Sequence, residues 1–304
     1  MTLTELRYIV ALAREKHFGK AAERCHVSQP TLSVAVKKLE ERLGVMLFER
    51  TPGDIRITAV GERICRQAEK VLTEAGRVEE LAQIGKDPLI GPLRLGVIYT
   101  IAPYLLPRLI PALHGLAPRM PLYLQENFTH RLAESLKSGE LDAAIVAAPF
   151  AEPGIVTRPL YSEPFRVALP VQHPLAARAE VAKEALDPSQ LLILGQGNCF
   201  RDQVVSACPQ LNGPGKLDQS IEGSSLETMR HMVASGAGIA VVPASACAAW
   251  PDNDALFVTR PFKAPAPSRK VVLAWRATFP RPLAMDVLYQ AVCQSPPVGT
   301  LPLE

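Results

Sequence analysis

The chain has 304 residues, 48% hydrophobic and 21% charged, with six cysteines and a formal net charge of +3. That length suits two or three domains, and the composition is ordinary for a globular chain and too apolar for a disordered one. Glu5, Arg7, Arg14 and Glu15 near the start exclude the apolar core of a secretory signal. The longest uncharged run, His231 to Pro251, is broken by Gly236, Gly238 and Pro243, so it reads as helix, turn and strand of a core. No membrane span is expected; a cytoplasmic chain with reduced thiols is.

Of the 28 prolines, only Pro30 and Pro52 precede residue 88, which predicts a mostly helical N-terminal part and a turn-rich body after it. Residues 1–60 hold 10 Lys and Arg against 7 Asp and Glu, so the whole net charge lies there. A basic module on a neutral body suggests an anionic partner at one end.

Within that module, residues 18–50 read FGKAAERCHVSQPTLSVAVKKLEERLGVMLFER. Ala21, Ala22, Cys25 and Val27, then Leu32, Val36, Leu39 and Leu43, give two helices joined by a Cys25-His26-Val27 turn. Ser28 caps the second helix and Pro30 sits in its first turn, where a missing N–H costs nothing. Gln29, Pro30, Thr31, Ser33 and Lys37 then lie near its exposed N-terminal end, the part of a recognition helix that meets base edges and phosphates in the major groove. Arg50 and Arg56 flank a Thr51-Pro52-Gly53-Asp54 turn that reads as the tip of a β-wing. Each of these residues alone is a solvated helix face; together they predict binding to double-stranded DNA.

From Thr58 to Lys86 the positions Ile64, Ala68, Val71, Ala75, Val78 and Ala82 make a heptad seam widened by Leu72 and Leu81, with Thr58 as cap and Gly85 and Pro88 as stop. Such a helix either covers its own domain or pairs with a second copy. After Gly91, apolar strand-like runs alternate with helical ones: Leu93–Val97, Leu122–Glu126, Ala143–Ala147, Phe165–Leu169, Leu191–Leu194, Gly238–Val242 and Val271–Trp275 as strands. This is βαβ alternation, which predicts parallel sheets covered by helices and ligand crevices at carboxyl ends of strands. The expected fold is an α/β regulatory body of two Rossmann-like subdomains, with an N-terminal winged helix-turn-helix and a long linker helix. The expected boundaries are 1–58, 59–87 and 88–304, with subdomain I about 88–163 and 269–304 and subdomain II about 164–268.

The segment AAERCHVSQPTLSVAVKKLEERLGVMLFER resembles the winged helix-turn-helix of LysR-type transcriptional regulators, and the likeness extends over essentially the whole chain. The resemblance implies a body like a periplasmic binding protein and a homodimer through the linker helix that assembles into a homotetramer. It also implies control of transcription at promoter DNA, with RNA polymerase as partner.

Residues 195–209 read GQGNCFRDQVVSACP, a glycine turn after the Leu191–Leu194 strand and then a short helix that starts at Cys199 and ends before Pro209. A thiol at a helix N-terminus, with Arg201 nearby, favours its thiolate, the form that attacks peroxide. Nine residues of helix at ~1.5 Å each separate Cys199 from Cys208 by roughly 13 Å, and a disulfide tolerates less than about 7 Å. Bonding them therefore requires that helix to melt. On spacing alone the two are a redox pair or two structural thiols.

The motif GxGNCFRDQ with Cys208, together with SSLETMRHMVASGAGIAVVP, is similar to the hydrogen-peroxide sensors of the LysR family. That resemblance implies Cys199 as the thiol that reacts with hydrogen peroxide and Cys208 as its resolving partner. It further implies that the disulfide form activates antioxidant genes, and that glutaredoxin or thioredoxin is the reductant. Asn198 stands where some members carry histidine; it is expected to cap the helix. Thr100, Thr129, Gly197 and Asn198 are expected around the peroxide beside Cys199, although Thr129 is equally a helix N-cap. Asp202 is expected to bond back to the helix N-terminus or relay a proton, and Arg269 to supply supporting charge.

Cys25, Cys65, Cys247 and Cys293 carry no motif. No CxxC, no Cys/His cluster of zinc spacing, no GxSxG and no GxGxxG occurs, so neither metal, cofactor nor enzyme is expected. Two alternatives stay open: a regulator with passive cysteines that binds a small organic effector between the subdomains, and a thiol peroxidase, against which the basic helix-turn-helix argues.

Overall fold

The computed structural model describes residues 1–51, 54–84, 87–208, 221–250 and 256–303. The chain divides into two compact units, Met1–Lys86 and Asp87–Glu304.

The first unit contains α1 (Leu3–Glu15), α2 (Phe18–Arg24), α3 (Gln29–Leu43), the hairpin β1 (Phe48–Thr51) and β2 (Asp54–Ile57), and α4 (Ala59–Ile84). Thr2 and Glu5 form a reciprocal capping box at the start of α1. Between α2 and α3 the chain turns through His26 at φ +55°, a left-handed conformation, before Ser28 caps α3. Leu6, Ile9, Leu12, Ala21, Leu32, Val36, Leu39 and Phe48 form one core, and Cys65 and Ala68 bring the first half of α4 onto it. Gly61 allows that approach: a Cβ there would lie 2.2 Å from the Leu47 carbonyl oxygen. Thr58 accepts from the Gly61 N–H (2.9 Å), as expected of a cap. Pro52, Gly53 and Gly85 lie outside the described residues.

The first half of the α4 seam covers the unit's own core, and exposed apolar positions follow it. Ala68 is buried and Ile64 and Leu72 pack on the unit's own core. Val71 and Val78 are exposed, Val78 at 67%. The side chains of Leu81 and Ala82 lie outside the described residues.

The second unit runs β3 (Leu93–Ile98), α5 (Ala102–Leu116), β4 (Leu122–Asn127), α6 (Thr129–Ser138), β5 (Ala143–Ala147), β6 (Ile155–Pro170) and β7 (Leu191–Leu194). It continues α7 (Cys199–Ala207), β8 (Ile221–Gly223), α8 (Leu226–Ala234), β9 (Ile239–Pro243), α9 (Ala244–Ala249), β10 (Phe257–Pro261), β11 (Ser268–Arg276), α10 (Pro282–Gln294) and β12 (Leu301–Pro302). Among the described residues its ten strands are hydrogen-bonded in the order β4-β3-β5-β11-β6-β9-β7-β8, with β10 and β12 also on β6.

The expectation of purely parallel sheets is corrected here. β3 pairs with β4 and β5, and β7 with β8 and β9, in parallel, as βαβ units require. The long strands β6 and β11 run antiparallel to their neighbours and join the two halves. Only Phe165–Leu169 of the 16-residue β6 was legible as strand. Pro159 and Pro164 interrupt the pattern before it, and the pairing with β11 shifts register opposite Pro159, where no N–H is available to continue the ladder. Two hydrophobic cores result. One holds Leu95, Ile145, Leu273, Leu105 and Leu288; the other holds Phe165, Val167, Ile193, Val241, Phe200 and Met229. Tyr104 of α5 belongs to the second core and its hydroxyl donates to Glu227 Oε1 (3.3 Å). Among the described residues no helix is long and apolar enough to cross a membrane.

Candidate functional site

α7 begins where the sequence placed it. The buried strand β7 leads into Gly195-Gln196-Gly197-Asn198, and Gly197 takes φ +90°, a conformation that favours glycine. Cys199 is the first residue of the helix and Cys208 its C-terminal cap. Asn198 occupies the N-cap position, but its side chain does not cap. Its Nδ2 donates to the Gly195 carbonyl oxygen (3.1 Å), so it closes the turn before the helix and leaves the expected cap bond unmade.

The two cysteines lie in opposite surroundings. Cys199 is half-buried, packs against the first core and lines a cavity of about 680 Å³ together with Thr129, Lys183, Asp202, Gln203 and Ser206. Cys208 is fully buried in the second core, where loss of solvent around the thiolate pushes its pKa up to about 11; Lys183 opposes that shift and Glu184 adds to it. Phe200 and Val204, the buried residues of the helix, belong to the same core as Cys208. The helix is nine residues long, so the expected separation of roughly 13 Å, from ~1.5 Å of rise per residue, applies unchanged.

Two polar atoms on this cavity have no hydrogen-bond partner: Thr129 Oγ1 and Gln203 Oε1, both buried. Thr129 is not the N-cap of α6; Phe128 occupies that position and Thr129 is the first helical residue, which leaves its hydroxyl free to face the cavity. Gln203 escaped the sequence reading, although one helical turn after Cys199 puts it on the same face; its Nε2 donates to the Ala148 carbonyl oxygen (3.4 Å). Asp202 lines the cavity and is exposed. Thr100, Gly197 and Asn198 are not among the described residues that line it.

Thr100 is instead held from behind. Arg269 Nη1 donates to its hydroxyl (2.8 Å) and Nη2 to its carbonyl oxygen (2.9 Å), while Nε donates to Glu163 Oε2 (2.7 Å). Arg269 and Glu163 are directly opposite on β11 and β6 and both are fully buried. The guanidinium also lies over the Phe200 ring, 5.1 Å from its centroid. The supporting charge expected of Arg269 is therefore neutralised by Glu163. Arg201, expected near the thiol, donates to Glu222 and to the Leu194 carbonyl oxygen.

In the first unit, α3 exposes Ser28, Gln29, Pro30, Thr31 and Lys37, with Ser33 half-buried. Ser28 Oγ accepts from the Thr31 N–H (3.3 Å) and lies 2.8 Å from Thr31 Oγ1, so two of the expected DNA-contacting hydroxyls are bonded to each other. Lys37 Nζ lies 3.8 Å from Glu41 Oε1. The Arg50 side chain lies outside the described residues. Val34 was missed by the sequence reading: it is 52% exposed, one turn after Pro30 and Thr31, where an apolar side chain suits a thymine methyl.

Comparison with known families agrees with both units. Residues 3–62 match the bacterial regulatory helix-turn-helix protein, lysR family, and residues 86–295 match the LysR substrate binding domain. A hydrogen peroxide-inducible genes activator of Pectobacterium carotovorum subsp. carotovorum is 41% identical over 280 residues, covering 92% of each chain. A full-length OxyR variant from Pseudomonas aeruginosa has 55% identity and a TM-score of 0.70, over 97% of this chain and 98% of that one. A mutant OxyR of Corynebacterium glutamicum, solved with hydrogen peroxide bound, has 32% identity and a TM-score of 0.65, over 96% of this chain and 92% of that one. The chain belongs to the LysR family of helix-turn-helix DNA-binding regulators and, within it, to the OxyR group.

Proposed function

We propose that this protein is a cytoplasmic transcriptional activator switched by hydrogen peroxide through Cys199 and Cys208. The Cys199 thiolate attacks one peroxide oxygen, the O–O bond breaks, and the sulfenic acid forms as hydroxide leaves. The Cys208 sulfur then displaces the hydroxyl from Cys199, and a disulfide and water result. Thr129 and Gln203, each with a buried oxygen lacking a partner, are positioned to hold the peroxide or the hydroxyl of the sulfenic acid. Asp202 stands on the same cavity for proton relay. Thr100, Gly197 and Asn198 support this arrangement from the loop and strand behind it.

One observation carries this reading: a half-buried cysteine on a cavity and a fully buried one stand at the two ends of a single nine-residue helix. Oxidation can join them only by unwinding that helix, which turns a chemical event into a change of shape. The names of the relatives, hydrogen peroxide-inducible genes activator and peroxide-bound OxyR, support it. In this reading Gln29, Thr31 and Ser33 contact bases in promoter DNA, with Ser28 and Pro30 shaping the helix start and Lys37 and Arg50 meeting phosphates. The face of α4 that carries Val71 and Val78 forms a homodimer within a homotetramer, RNA polymerase is the partner recruited, and glutaredoxin or thioredoxin restores the thiols.

The deciding experiment is peptide mass spectrometry after stoichiometric peroxide. A Cys199–Cys208 linked peptide is expected in the parent and none in Cys199→Ser, which also loses the transcriptional response. A second reading draws on the cavity itself: about 680 Å³ exceeds what one peroxide molecule fills and suits a small organic effector. Unchanged thiol content after peroxide, with protection of the cavity by an organic acid, would favour that reading.

A further inference from the structure

Resolution of the sulfenic acid is the chemically awkward step. A thiol attacks as its thiolate, and burial holds the Cys208 thiol well above its ordinary range. Opening the helix relieves that burial, and a cation beside the sulfur favours its thiolate as it emerges.

Lys183 is placed to do so. It is half-buried and opens the short 3₁₀ turn Lys183–Ala185, between Val181 and Leu186, both buried in the same core as Cys208. It also lines the cavity of Cys199, alongside residues from both ends of α7: Cys199 and Asp202 in the first turn, Ser206 and Ala207 in the last. Its position therefore runs along the helix that must unwind. Among the described residues the other charged group lining the cavity is Asp202, and the charged groups that act on Cys208 include Lys183, which favours the thiolate, and Glu184, which opposes it.

Building on the disulfide reading above, we propose that Lys183 is a positioning residue for the second oxidation step, holding the Cys208 thiolate as it attacks the Cys199 sulfenic acid. The step balances internally. Cys208 loses its proton and its sulfur is oxidised, the Cys199 sulfenic sulfur is reduced, the S–S bond forms, the Cys199 S–O bond breaks, and the departing hydroxide takes up that proton as water. No further oxidant or reductant enters.

The test separates the two steps in the full-length protein. Sulfenic acid formation is followed in Cys208→Ser by trapping with dimedone; disulfide formation is followed in the parent by rapid acid quench and mass spectrometry across pH 6 to 9. Lys183→Gln is expected to slow disulfide formation about tenfold at pH 7 and move its pH profile up by about one unit, since one unit is tenfold in thiolate fraction. The same substitution in Cys208→Ser should slow trapping far less than it slows disulfide formation in the parent. Lys183→Arg, which keeps the charge, should restore the parent rate and profile. An unshifted profile in Lys183→Gln, or equal slowing by Lys183→Arg, overturns the proposal and leaves the disulfide reading standing. Absence of any linked peptide in the parent overturns that reading, and this proposal with it.

Discussion

α3, the proposed DNA-reading helix, and α7, which carries the two cysteines at its ends, are held very differently. α3 has fifteen residues, a Ser28 cap, a left-handed Gly44 at its end and three buried side chains, Leu32, Val36 and Leu39. Glu40 fastens it further, accepting from the backbone N–H groups of Leu47 (2.8 Å) and Phe48 (3.1 Å). α7 has nine residues, no side-chain cap, and Phe200 and Val204 as its buried residues. Nine residues are too few for a stable helix in water, so α7 persists through those two anchors. In the proposed function α3 presents fixed atoms to a groove and is built rigidly, whereas α7 unwinds and is pinned at few points.

The sharpest way to break that contrast is to remove a pin. Phe200 packs edge-on against Phe165 at 5.1 Å between centroids and beneath Arg269. Phe200→Ala is expected to destabilise the second unit by about 3–5 kcal/mol. Hydrogen exchange should show residues 199–207 losing protection first, with α3 unchanged, and disulfide formation after peroxide should accelerate. Equal protection of α7 in parent and variant would mean that Phe200 does not hold the helix.

The contrast also has a pH signature. The Cys208 thiol is raised from 9.0 to about 11, so between those values the unfolded chain has released a proton that the folded chain retains. Stability of the second unit should be level below pH 9 and fall as pH rises towards 11. Cys65, on the buried face of α4 in the first unit, is also raised to about 11 by burial with Glu69 nearby, and Cys247 to about 12. Urea unfolding at pH 8 and pH 10.5 therefore needs Cys208→Ala as reference; the parent should lose more stability across that interval than the variant.

What could be seen in advance followed from local chemistry. The limits of α7 were legible because Gly195 and Gly197 precede it and Pro209 follows it in the sequence, and the start of α3 because Ser28 and Pro30 are cap and first-turn residues. What long-range pairing decides was hidden: the antiparallel course of β6 and β11, and the first half of β6 behind Pro159 and Pro164. At the site, spacing located the cysteines but not the groups around them. Lys183 is remote in sequence, the bond from Asn198 to Gly195 replaces a cap, and the unpartnered oxygens of Thr129 and Gln203 exist only once α6 and α7 face one cavity.

On the rigid side, smaller effects are expected. Ser28→Ala removes the cap of α3 and its bond to Thr31, which should cost about 1 kcal/mol of stability in the first unit. DNA affinity should fall with it, because the freed Thr31 hydroxyl no longer has a fixed direction. Thermal unfolding and DNA titration of the reduced protein, parent against variant, measure the two losses separately.

Lys37→Ala should have the smallest effect and the most diagnostic form. Lys37 is exposed on α3, and its neighbour Glu41 at 3.8 Å forms a solvated pair of little strength. Its proposed role is one phosphate contact, so its removal should weaken specific and random DNA alike and lower the slope of log affinity against log salt by about 0.9. Substitution of Gln29 or of Val34 should instead alter which sequences are preferred while leaving that slope in place. A Lys37→Ala protein that binds specific DNA poorly but random DNA as before would place Lys37 on a base edge, and the division of α3 into base-reading and phosphate-holding residues would have to be redrawn.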